Sequence, residues 1–116
     1  MATSTIKSPY ALTAVALYAP TNPLDVHTDT TVTLTQEWSN FSTIVFYFLQ
    51  TSSTSSYRSI LTLSQQGVGQ SAWHAISQGS TIGGVKIGYP SGEYNKIKIM
   101  ETSLSGLYLY RIWGTN

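Results

Sequence analysis

Asp25, His27 and Asp29 form the sharpest chemical constellation in the sequence. On an extended backbone alternate side chains project to one face, about 7 Å apart along the strand. A D-x-H-x-D strand would therefore aim two carboxylates and an imidazole the same way, a donor set for a hard or borderline metal. The plainer alternative is a solvated edge, where acids discourage pairing with another chain. In a trimer, one such histidine per chain would meet on the axis and strengthen the metal reading.

A second group is aromatic. Trp73 and His74 lie among glycine, glutamine and serine, between Gly69 and Gly79. An exposed indole beside amides and hydroxyls suits a sugar ring, which stacks its apolar face and satisfies its hydroxyls. The same features suit a protein contact anchored by tryptophan. Trp73 and His74 are thus candidate ligand-binding residues, with Tyr57, Tyr89 and Tyr94 at strand ends as weaker ones. Trp113 and Phe46 are assigned to the core, where large rings bury the most area.

Catalytic chemistry has little to draw on. The chain has five carboxylates, Asp25, Asp29, Glu37, Glu93 and Glu101, and two histidines. Glycoside hydrolysis needs two carboxyl groups facing across a cleft, and nothing in the spacing pairs any two. No G-x-S-x-G elbow is present. No catalytic residue and no cofactor is assigned, and a non-enzymatic protein is expected.

These side chains need a frame, and the frame reads as strands. Thr31 to Thr35 alternates threonine with Val32 and Leu34, so Asp25 to Gln36 reads as one half-buried strand. Ile44 to Leu49 is β-branched and aromatic without alternation, as in a strand covered on both faces in mid-sheet. Further strands are expected over Tyr57–Ser64, Ser71–Ser77, Val85–Tyr89, Lys96–Met100 and Leu107–Trp113. Ala11 to Ala19 suits a strand or a short helix. Loops are expected at Pro20–Pro23, Thr51–Ser56 and Gln65–Gln70. Turns are expected at Ser39-Asn40, Gln78–Ser80 and Tyr89–Gly92. Ser103–Gly106 reads as the turn of a hairpin joining the last two strands, with Gly106 free to take positive φ.

The reading is an all-β, antiparallel β-sandwich or jelly roll of about 7–8 short strands with little or no helix. Residues 1–10 read as an extended arm and 11–116 as one sandwich domain. No repeat of 20–50 residues is evident, which sets aside propellers.

Composition agrees. Only 9% of residues are charged against 41% hydrophobic, and Ser plus Thr make up roughly a quarter of the chain. Threonine favours strands and serine disfavours helix interiors. The net charge of +1, with six scattered basic residues, provides no basic stripe for nucleic acid. The longest apolar run, Ile44–Leu49, is too short to span a bilayer, so no membrane insertion is expected. With no cysteine there is neither a disulfide frame nor a thiolate metal site.

The C-terminal third adds a resemblance. Lys96-Ile97-Lys98-Ile99, the small-residue turn Ser103–Gly106 and Tyr110-Arg111-Ile112-Trp113-Gly114 resemble the ends of small β-sandwich head domains of bacteriophage tail-fibre and head-fibre proteins. Trp38-Ser39-Asn40-Phe41 leading into an apolar run fits their style. The likeness covers about residues 31–116. It implies a trimeric virion structural and binding protein, of fibre-tip or capsid-decoration type, that meets a host-surface glycan or other virion proteins. Receptor residues do not carry over, because such domains share no fixed motif. Low charge and exposed sheet edges also suit a homo-oligomer. The alternatives are a free-standing lectin, secreted or cytoplasmic, and more remotely a small hydrolase.

Overall fold

The computed structural model describes residues 14–51, 56–78 and 81–116, and the expected arm at 1–10 lies outside them. The strands are β1 (Val15–Tyr18), β2 (Leu24–Asp25), β3 (Thr30–Thr33), β4 (Thr43–Thr51), β5 (Ser56–Ser64), β6 (Ala72–Gln78), β7 (Thr81–Gly88), β8 (Lys96–Thr102) and β9 (Leu107–Thr115). The first sheet has the order β1-β9-β4-β5, with β2 also on β9, and the second has the order β3-β8-β7-β6. All pairings are antiparallel. The fold is an all-β sandwich, as expected, with nine described strands.

Alternation of side chains builds the core. Ile44, Phe46 and Phe48 on β4, with Leu107, Leu109 and Ile112 on β9, are fully buried between the sheets. Val85, Ile87, Ile97 and Ile99 meet them from β7 and β8. Phe46 and Phe48 stack with centroids 6.1 Å apart, so Phe46 is core as expected. The run Ile44–Leu49 is central, between β9 and β5, but it alternates: Val45, Tyr47 and Leu49 are only half-buried on the outer face. Residues that look doubly covered in sequence are partly shielded by neighbouring rings rather than by a further layer.

Three expectations need correction. β8 and β9 do not form a hairpin, because they lie in different sheets. Leu104 is buried as the chain crosses, and it packs so tightly over Gly83 that a Cβ there would collide with it. Gly106 does take positive φ, +68°. It turns β9 into the other sheet, where its carbonyl accepts from the Thr51 amide at 2.9 Å. Second, Asp25–Gln36 is not one strand but two, β2 and β3, on opposite sheets. Third, Gln65–Gly69 is a single turn of α-helix, α1, rather than a loop. Ser64 caps it by accepting from the Gly67 amide at 3.0 Å, an N-cap signal that the two glycines obscure. The turn expected at Ser39-Asn40 is present, as a short 3₁₀ turn over Trp38–Asn40.

Candidate functional site

Trp73 stands on the outer face of the second sheet, on its edge strand β6. Ile76 on the same strand is buried, and strand alternation therefore sends Trp73 and Ala75 outward. Trp73 is 51% exposed, as the sequence suggested. Its ring lies across Gly84, where a Cβ would come within 3.2 Å of the indole. The missing side chain lets the ring lie down on the sheet. Directly across from Trp73 is Lys86, whose ammonium sits 3.7 Å from the Glu101 carboxylate. An open aromatic face flanked by a cation and an acid is an arrangement for stacking and hydrogen-bonding a polar ring.

His74 does not join Trp73. The same alternation turns it inward, opposite the fully buried Val85. Its Nε2 is buried and has no hydrogen-bond partner among the described residues. Burial lowers its pKa below that of free imidazole, because desolvation opposes the charged form. Unfolded chains then take up more protons than folded ones as pH falls through about 6.5, so this contribution to stability is complete above that pH and is lost below it. The melting temperature is expected to drop between pH 7.5 and 5.5, and His74→Leu to flatten the drop. An unchanged slope in that variant would refute the assignment.

Tyr89 and Tyr94 are brought together, at the end of the sandwich that also carries α1 and the 3₁₀ turn. Their rings stack at 5.4 Å, and Tyr89 meets the buried Trp38 edge-on at 4.9 Å. Trp38 is held there by its amide, which donates to the Tyr94 carbonyl at 2.9 Å. Only Tyr94 of this pair is well exposed, at 42%. Tyr57 is exposed too, but it lies near the start of β5 opposite Gln50, at the other end of the sandwich. The five aromatic and histidine candidates thus fall into separate places rather than one pocket.

The D-x-H-x-D segment is not one extended strand. After β2 the chain turns through His27–Asp29. Thr30 Oγ1 accepts from the His27 amide at 3.0 Å and donates to the His27 carbonyl at 2.6 Å. Asp29 takes φ +65°, a left-handed conformation that aspartate tolerates, and its carboxylate lies 3.3 Å from Lys98 Nζ. Asp25 stays on β2, opposite Tyr108. Among the described residues no group of three or more His, Cys, Asp or Glu side chains is placed to hold a metal.

A larger aromatic surface escaped the sequence reading. Trp113 is not core: it is half-buried on the outer face of the first sheet. Tyr47 packs there against Tyr110 at 5.7 Å and Trp113 at 6.4 Å. The Arg58 guanidinium lies 5.7 Å from the Tyr110 ring centre. Ile60 on the edge strand β5 is 65% exposed. The sequence carries the signal, since Tyr108 and Tyr110 alternate with the buried Leu107 and Leu109, and size alone does not place Trp113 in the core.

The chain matches no protein-family model and no curated protein.

Proposed function

We propose that the chain is a non-catalytic binding protein, a self-associating virion component of the fibre-tip or decoration kind that its C-terminal stretch resembles, and that it holds a cell-surface glycan on Trp73. The observation that carries the binding is the exposed indole lying across Gly84 beside the Lys86–Glu101 pair. A pyranose ring presents an apolar face to such a platform and hydroxyls to the flanking charges. The carboxylates support a non-catalytic reading: all five are exposed, and Asp29, Glu93 and Glu101 are each engaged by a lysine.

A glycan array with the purified chain tests it. A defined set of glycans is expected to bind, Trp73→Ala to weaken that binding at least tenfold, and its melting temperature to stay near wild type, because the ring is half open to solvent. Gly84→Ala, which lifts the ring, should weaken binding in the same direction. A silent array, or a Trp73→Ala variant that binds normally, would end the glycan reading. Mass spectrometry of virions from the source of the gene tests the other half. Glycan binding without incorporation into particles leaves a free-standing lectin.

A further inference from the structure

We infer that the outer face of the first sheet is a two-fold interface with a second copy of this chain, its axis running along the strands between β4 and β9. The inference names the face for the self-association proposed above and rests on that reading.

The outer face of a sandwich sheet is ordinarily polar. Here the two central strands present Val45, Tyr47 and Leu49 from β4 beside Tyr108, Tyr110 and Trp113 from β9, all half-buried. Two shallow apolar hollows, about 250 Å³ at Val45, Tyr47 and Trp113 and about 240 Å³ at Pro23, Leu49 and Tyr108, open on this face. Four strands about 4.8 Å apart over eight residues of strand length give a footprint of about 500 Å² per copy, or about 1,000 Å² for two before side-chain relief, which reaches the lower bound for a biological interface.

Charge chooses the occupant and the axis. The register places Asp25, Tyr108, Leu49 and Arg58 in one row across the sheet, with the acid on the β2 edge and the base on the β5 edge. Both charged residues are exposed. A two-fold axis along the strands exchanges β9 with β4 and β2 with β5. Each Asp25 then faces the partner's Arg58, twice over, and Tyr108 faces the partner's Leu49. Lower contrast in size follows the same operator, since Trp113 comes over the partner's Val45. Arg111, whose guanidinium donates to the Tyr110 carbonyl at 2.7 Å, comes over the partner's Tyr47. An axis across the strands through this row would instead set acid on acid and base on base, which costs association. Self-complementarity of this kind is what an isologous interface demands. It makes the basic unit a pair, where the resemblance implied a trimer.

Light scattering and sedimentation over a range of concentrations test the pairing. Wild type is expected at twice 12.7 kDa. R58D and D25R should each weaken the dimer at least tenfold, by opposing like charges, and D25R/R58D should restore it. Restoration also shows that the single variants failed through the interface and not through the fold. A monomer at every concentration, a three-fold mass, an oligomer indifferent to either reversal, or a double variant that stays apart would each overturn the inference. Trp73 lies on the other sheet, so glycan binding by the monomeric variants is read independently: loss of pairing with binding intact leaves the proposed recognition standing.

Discussion

Phe46→Ala is expected to lose about 3–5 kcal/mol of folding stability, the usual cost of deleting a buried aromatic ring. Phe46 is fully buried, stacks on Phe48, and sits on β4 in the middle of the first sheet. The ring faces the β7 and β8 residues across the sandwich, so the space it vacates is walled by two sheets that cannot collapse into it independently. Small domains hold only about 5–15 kcal/mol in reserve, and the variant should unfold at a much lower urea concentration with an unchanged slope. A shift worth less than about 1 kcal/mol would show that the core repacks around the loss, contrary to the close packing of protein interiors.

Gly106→Ala is expected to be nearly as damaging, for a different reason. A left-handed conformation in a residue with a side chain costs about 1–3 kcal/mol. At Gly106 the added Cβ would also run into the Thr51 carbonyl oxygen, which is backbone and cannot swing aside. The Thr51 amide bond to the Gly106 carbonyl would be disturbed as well, at about 1 kcal/mol. Gly92→Ala supplies the control. Gly92 has φ +78° but open space around it, so it should show the conformational cost alone. Equal losses at both positions, measured by urea unfolding, would mean that the Thr51 contact contributes nothing.

The sandwich was legible because its cause is local. Val32 between threonines, and Ile97 and Ile99 between Lys96, Lys98 and Met100, alternate with the period of a pleated strand, and burial follows that period. What sequence could not convey is which sheet a strand joins. Leu107–Thr115 looks like a hairpin partner for Lys96–Thr102 because the linking turn is short, yet it pairs with β4, a strand more than fifty residues earlier. The same blindness hid the sites. Trp73 was recognisable as a surface ring from its glycine-rich setting, but only the register brings Gly84 beneath it and Lys86 beside it. His74 looks like its companion because the two are neighbours in sequence, although a strand separates them onto opposite faces. Asp25, His27 and Asp29 kept the spacing of a ligand set and lost its geometry to a turn held by Thr30. Asp25 and Arg58 are far apart in the chain and meet in one row only through two intervening strands.

The position of β9 has a consequence for biosynthesis. It lies between β4 and both β1 and β2, so every neighbour it joins has been translated long before it. Until residue 115 has left the ribosome, β4 lacks one hydrogen-bonding flank and β1 and β2 have nowhere to dock. The nascent chain must therefore carry Ile44, Phe46 and Phe48 without that flanking strand until β9 has left the ribosome, and pairing of the first sheet waits for it. A chain with so much long-range pairing closes slowly, which makes that interval the time when its apolar strands are open to chaperones or to one another.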